Sequence, residues 1–422
     1  MKRSVLISEY VCGGGFSSSE LLLDILVEGY SMMYALAYDF VKAGFNVTLT
    51  LDYRLKGEII NDYMKDKVSI VKVKRDMNYL NTLVEYGSKT DYTVIIAPSS
   101  NGIIEKILAH LEEHNISYLN PNLTTVSRII NKYNLYKDLD RMGLKVPTSQ
   151  LTSTSDVESL YRIARDVGLP VVLKPTYGDG AQATHLIRTR DDTLRYSKMY
   201  PNRDVVVQEF IEGVPASVSV AVGSGRFVIL SLNKQEITVE PNTGRFSYGG
   251  GYTPLNVKLP KGYLEELLGK IVEVYPGLKG YVGIDIVLKD DEAFIMEINP
   301  RLTTSYLGVR NVIKENIAWC IVNLVEGVNV KVSTVSGRVC TFRVIGSSED
   351  VTLTSKLIRK LNSINGVIVP PLPNYKLPSG TPIALIYSVE SSLQRSLRLF
   401  EKLKDEVLEK ISKTTRTSSR GE

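Results

Sequence analysis

A mixed architecture, α/β together with α+β, follows from three features of the 422-residue sequence. Over residues 1–122, short apolar strands alternate with helical stretches, the pattern of a parallel sheet covered by helices. Over 123–330, apolar runs pair up around Gly- and Asp-containing turns, which reads as antiparallel hairpins. Residues 331–411 return to a smaller α/β unit, and 412–422, SKTTRTSSRGE, is expected to be a disordered polar tail.

In the first unit Val5–Val11 reads as a strand and Gly13-Gly14-Gly15 follows it. Ser17-x-x-Glu20 has the spacing of a capping box and predicts a helix from there to about Lys42. Gly44 closes that helix, and Asn46–Leu51 is the next strand. Asp91–Ala97 is a further strand, then come a helix around Gly102–His114 and a short strand at Tyr118–Leu119. The glycine run is not GxGxxG and no acidic ribose ligand stands out, so a dinucleotide site is set aside. Two readings stay open for it: backbone N–H groups close to an anion, or a plain tight turn. His110 and His114 share a helix face that could suggest zinc, but with Glu113 beside them a solvated surface is the better reading.

The second unit opens with a helix predicted over Thr124–Met142, which carries Lys132 and ends at Gly143. Leu169–Lys174 is a strand that delivers Lys174 to the loop Thr176–Ala181, which contains Gly178 and Gly180. Backbone N–H groups of such a loop can cover phosphates while the lysine neutralises them. Val205–Ile211 is a strand leading into Glu212-Gly213, and Val218–Val222 with Phe227–Leu232 forms a hairpin. Arg245–Pro254, RFSYGGGYTP, is expected to be a loop serving as lid or substrate wall. A helix near Gly262–Tyr275 follows.

Tyr281–Leu288 and Phe294–Ile298 then flank Lys289–Glu292 as a hairpin. On its second strand Glu297, Asn299 and Arg301 share one face by period-two alternation. A five-residue turn would set Asp285 opposite Glu297, at roughly 5 Å for a cross-strand pair. A two-residue turn at Asp290-Asp291 would put the two carboxylates on opposite faces. In the first register the like charges need a cation, and oxygen ligands without His or Cys favour Mg²⁺ or Mn²⁺. After Asn311 a helix runs to about Val325. The third unit has strands at Arg338–Val344, Val367–Val369 and Pro382–Val389 and helices near Thr354–Ile364 and Ser392–Ile411.

Charged residues are 23%, apolar residues 43% and the net charge +5, which argues against a dedicated nucleic-acid binder. Three scattered cysteines imply no disulfide framework, and no run reaches the ~18 apolar residues of a membrane span. A cytoplasmic protein is expected.

Lys132 before GLKVP, Lys174 before the glycine loop, the QEFIEG strand, Asp285 and MEINPR stand in an order and spacing that resembles the ATP-grasp superfamily. EYVCGGG and EGYSMMYALAYDF resemble more narrowly the group of archaeal tyramine–glutamate ligases. The resemblance implies an ATP-grasp fold over 123–330, preceded by a Rossmann-like domain at 1–122 and followed by the small unit. It implies ATP, with Mg²⁺ or Mn²⁺, as cofactors. Lys132, Lys174, Gly178 and Gly180 would bind phosphates. Glu209, Phe210 and Glu212 would meet the nucleotide base, and Asp285, Glu297 and Asn299 would hold metal. Lys174 and Arg301 would act on the reacting phosphoryl group. Ala181 and Ala183 stand where relatives have glycine, and Ala216 where many carry a ribose-binding acid.

The implied activity is an ADP-forming carboxylate–amine ligase acting through an acyl phosphate, on a glutamate-like acid and a primary amine. The alternatives are a carboxylase acting through carboxyphosphate and a non-catalytic nucleotide-binding module. Expected partners are small-molecule substrates and, in assembly, a second copy of the chain, with neither nucleic acid nor membrane.

Overall fold

The structure, a computed structural model, describes residues 2–56 and 63–418. Strands β1 (Ser4–Glu9), β2 (Asn46–Asp52), β3 (Val68–Val73) and β4 (Tyr92–Ile96) form a parallel sheet in the order β3-β2-β1-β4. Val5 to Glu9 are all buried, as a central strand covered on both faces must be. Helices α1 (Leu23–Lys42), α2 (Tyr79–Gly87) and α3 (Ile103–Glu113) accompany the sheet. The capping-box expectation fails: α1 starts at Leu23, not near Ser17, and its N-cap Leu22 makes no side-chain bond. Residues 10–19 are turns closed by their own backbone bonds, among them Gly13 N to Glu9 O at 2.6 Å and Ser17 N to Gly14 O at 3.0 Å. The second of these bonds occupies the Ser17 N–H that the Glu20 side chain would have capped.

The single helix expected over 124–142 is two, α4 (Leu123–Ile130) and α5 (Lys132–Arg141). Asn131 is extended (φ −79°, ψ 104°) and accepts a bond from Asn134 N, so it breaks one helix and caps the next. The break places Lys132 at the first position of α5, with its backbone N–H on Thr176 O at 2.9 Å.

Strands β5 (Ser149–Ser153), β6 (Val171–Pro175), β7 (His185–Ile187) and β8 (Asp204–Glu209) form a small antiparallel sheet, order β5-β8-β6-β7. Helices α6 (Val157–Val167) and α7 (Arg190–Met199) belong to the same unit and bury Leu160, Ala164 and Tyr196 against Val171, Leu173 and Val205.

The large sheet begins with β9 (Val214–Gly223), β10 (Arg226–Val239) and β11 (Phe246–Thr253). Helix α8 (Tyr263–Val274) follows, then β12 (Gly280–Lys289) and β13 (Glu292–Asn299), then α9 (Tyr306–Val312) and α10 (Ile317–Val325). After these come β14 (Val339–Gly346), β15 (Val351–Thr352), α11 (Ser355–Asn362), β16 (Val367–Ile368), β17 (Lys376–Leu377), β18 (Pro382–Glu390) and α12 (Leu393–Ser418). The order β13-β12-β9-β10-β11-β14-β18-β16 makes one eight-stranded sheet.

Three expectations are corrected here. RFSYGGGYTP is the strand β11, not a loop. Its glycines permit a close approach: a Cβ on Gly250 would lie 2.2 Å from Phe342 O, and one on Gly251 2.0 Å from Lys234 O. The C-terminal strands are not a separate sheet either, because β14 pairs with β11 through Gly251–Phe342, Tyr252–Thr341 and Thr253–Cys340. One apolar core accordingly joins α1 to β18 and α12, through Leu36, Phe40, Leu385 and Phe400. The expected disordered tail is helical as far as Ser418, and 419–422 lie outside the described residues. Among the described residues no helix is long and apolar enough to cross a membrane.

Candidate active site

The hairpin β12–β13 places the carboxylates. Its turn is the two-residue kind: Lys289 pairs with Glu292, and Asp290 and Asp291 have φ of 51° and 63°. Asp285 nevertheless pairs with Glu297, because the register slips between Asp285 and Ile286, where Ile286 pairs with Ile295 and leaves Met296 as an extra residue. A β-bulge has turned Glu297 to the face of Asp285. The carbonyl that the bulge withdraws from the ladder, Met296 O, accepts from Tyr136 OH at 2.8 Å.

Asp285 is held by neutral amides: Gln235 Nε2 donates to Oδ1 at 2.8 Å and Asn299 Nδ2 to Oδ2 at 3.0 Å. Burial, with Glu297 opposite adding repulsion, pushes its carboxyl up to about 7. Glu297 accepts from Lys132 Nζ at 2.8 Å, and the same ammonium donates to Gly178 O at 2.7 Å. Two facing carboxylates and an amide oxygen donor, with one carboxylate lacking a cation of the chain, fit a hard divalent ion.

Lys174 closes β6 inside the protein. Its ammonium lies 5.0 Å from the centroid of the Tyr136 ring. Burial and the neighbouring Lys132 charge lower its pKa to about 7, against the pull of Glu297 and Asp285. Lys132, Lys174, Glu297 and Asp285, far apart in sequence, are thus brought into one cluster.

Arg301 does not stand free. Its guanidinium donates to Asp179 Oδ1 at 2.7 Å and to Leu302 O at 3.0 Å, while Nε is buried without a partner. Asp179 is on the glycine loop and also accepts from Ser99 N (2.7 Å), Ser99 Oγ (2.9 Å), Ser100 N (3.0 Å) and Ser100 Oγ (3.0 Å). Burial would raise its carboxyl, but Arg301 and these donors hold it well below the usual range.

Beyond Arg301 lies a wall of hydroxyls. Tyr281 OH donates to Ser219 Oγ at 2.7 Å, and Thr303 and Ser305 hydroxyls are 2.9 Å apart. Glu28, on α1, faces Thr304 and Arg301 here; burial raises its pKa and the Arg301 charge opposes the rise.

The other expected nucleotide residues sit at the end of β8. Glu209 pairs with Val171, whereas Lys174 pairs with Val206, so the two lie toward opposite ends of the β6–β8 ladder. Glu209 Oε2 accepts from Thr148 N at 3.1 Å, Phe210 is half-buried and Glu212 exposed. Ala216 is fully buried among Val218, Val220 and Ile286, so that position offers no ribose ligand. His110, Glu113 and His114 do cluster at the C-terminal end of α3, with the histidine rings 4.4 Å apart. Gln235, Asp179, Tyr136 and Glu28 escaped the sequence reading. Two of them carried a signal: Asp179, an acid between Gly178 and Gly180 in a loop expected to cover phosphates, and Glu28, the first residue of EGYSMMYALAYDF.

Residues 129–305 match the ATP-grasp domain family. Over 308 residues the chain is 29% identical to the tyramine–L-glutamate ligase of Methanocaldococcus fervens, covering 72% of this chain and 89% of that one. It is 26% identical over 310 residues to the same-named enzyme of Methanocaldococcus jannaschii, covering 72% and 84%. In fold it is similar to the biotin carboxylase of Campylobacter jejuni, with a TM-score of 0.69, 14% identity, and 96% and 91% of the two chains covered. A glycine loop, a buried lysine pair and facing carboxylates are gathered inside the matched segment, and residues 129–305 are an ATP-grasp domain.

Proposed function

We propose that this protein is an ADP-forming carboxylate–amine ligase that joins a glutamate-like acid to a primary amine. The observation that carries the reading is the convergence of Lys132, Lys174, Asp285, Glu297 and Arg301 beneath the glycine loop. The similarity to two tyramine–glutamate ligases supports the substrate class.

A carboxylate is a poor electrophile. In the proposed reaction its oxygen bonds to the γ-phosphorus of ATP as the bond to ADP breaks. The amine nitrogen then attacks the acyl carbon, phosphate leaves, and the nitrogen gives up its proton to solvent or phosphate. Such a reaction needs charge neutralisation and positioning more than a protein nucleophile. Lys132 and Lys174 would neutralise the phosphates, and the N–H groups around Gly178 and Gly180 would cover them. Asp285, Glu297 and Asn299 would hold Mg²⁺ or Mn²⁺, which would supply positive charge to offset that of the phosphates. Arg301 would hold the reacting carboxylate, and the hydroxyls of Thr303, Thr304 and Ser305 would line its bed. Glu209, Phe210 and Glu212 would flank the base. ATP dependence and three buried free thiols support a cytoplasmic setting.

The test is phosphate release with ATP, Mg²⁺ and glutamate, with and without tyramine and other amines, followed by mass analysis of the product. An amide formed with one ADP supports the reading. ADP formation that answers to bicarbonate and ignores every amine would replace it with a carboxylase.

A further inference from the structure

We propose that Asp179 is a latch: it fastens the glycine loop to the N-terminal domain and holds Arg301 in place, so that ATP turnover and amide formation stay coupled. The loop needs an outside hold. Gly178 and Gly180 have φ of 150° and 60°, and two alanines, Ala181 and Ala183, have φ of 61° and 52°. L-residues in that region persist only where their surroundings impose it. Within the loop itself there are only short turns, Gln182 N to Asp179 O and Thr184 N to Ala181 O, both at 3.1 Å.

The loop's two ends are tied down, by Lys132 N on Thr176 O at 2.9 Å and by Tyr196 OH on Ala183 O at 2.9 Å and Phe246 N on Thr184 O at 3.0 Å; at its centre the side chain that reaches outside is the Asp179 carboxylate. It takes five hydrogen bonds, four from Ser99 and Ser100 just before α3 and one from Arg301. Its side chain and that of Arg301 are each only 14% exposed, so this pair is little screened by water. Lys132, donating to Gly178 O, fastens the neighbouring residue from the other side. One residue thus ties together three separate pieces: the loop over the phosphates, the N-terminal domain, and the arginine beside the acyl group. With Asp179 on one amino group and Leu302 O on the other, the guanidinium is fixed in plane and keeps its buried Nε unpaired. Release of Asp179 would free the loop and the guanidinium in one event. Water could then reach an acyl phosphate, whose hydrolysis returns acid and phosphate and leaves ADP without amide.

The coupling half of this inference rests on the ligase reading; the latch half does not. Hydrogen–deuterium exchange of full-length protein is followed over residues 176–184 in wild type, in Asp179→Asn, which keeps the shape, and in the double variant Ser99→Ala, Ser100→Ala. Both variants should raise exchange of the loop amides at least tenfold, although the serines lie in another domain. Unchanged loop exchange in either variant overturns the latch. In the activity arm, ADP formed per amide should be near one for wild type and several-fold higher for both variants. A ratio that stays near one while the loop loosens overturns the coupling. Should wild type form no amide with any amine, the ligase reading fails and coupling falls with it, while exchange still decides the latch.

Discussion

Asp285 and Glu297 stand opposite each other across β12 and β13, yet of the two Lys132 binds Glu297 and leaves Asp285 to two neutral amides. The pair is unequal before any ligand arrives. Asp285→Asn should therefore abolish Mg²⁺-dependent turnover and yet stabilise the metal-free protein. The sign follows from linkage: a carboxyl raised to about 7 in the fold loses stability for it as pH climbs from its ordinary range through 7, and the loss is complete above that. Thermal melts at pH 8 without metal should show the variant higher by about 2–4 °C for each kcal/mol relieved. A variant that melts lower at pH 8 would refute the burial argument.

Proton exchange on ligand binding should have opposite signs at the two charged centres. Above pH 7 Lys174 is largely neutral, so phosphates that favour its ammonium should draw a proton in. Below pH 7 Asp285 is largely protonated, so a divalent cation should drive a proton out. Calorimetry in two buffers of different ionisation enthalpy reads both. Lys174→Ala should erase the uptake at pH 8, weaken ATP binding and lower kcat.

Gln235 should matter as a support of the metal site. Gln235→Leu removes the bond at 2.8 Å that orients Asp285. The concentration of Mg²⁺ giving half-maximal rate should rise about 10-fold or more, as for other residues that orient metal ligands. The melting temperature without metal should move little.

Gly251 should be intolerant of any side chain. A Cβ there would overlap Lys234 O, a backbone atom, at 2.0 Å. Gly251→Ala should destabilise by about 1–3 kcal/mol, the usual range for overpacking, read as a lower urea midpoint. Gly269→Ala on α8, with open space around its Cβ position, should by contrast raise the midpoint slightly, as alanine does for glycine inside a helix.

The sequence disclosed what is local. The hairpin showed in apolar alternation around an acidic turn, Lys174 in a strand ending at a glycine loop, and the first sheet in its strand–helix rhythm. What it concealed depends on distant partners. The bulge at Met296 is invisible until Tyr136, 160 positions away, takes the displaced carbonyl. Asp179 and Arg301 are 122 positions apart, Gln235 and Asp285 50, and no spacing rule connects them. β11 reads as a loop because its glycines, weak strand formers alone, make sense only against Phe342 and Lys234.

The pairing of β11 with β14 has a consequence for how the protein can be divided. A fragment ending near residue 330 would keep the whole matched segment but strip β11 of its neighbour, leaving Gly251 to Thr253 with unpaired amides and carbonyls. Such a border is a template for adhesion between molecules, and the fragment should precipitate rather than work. The boundary that a family match draws here is one of ancestry, and the unit expected to melt cooperatively runs past it to the last helix.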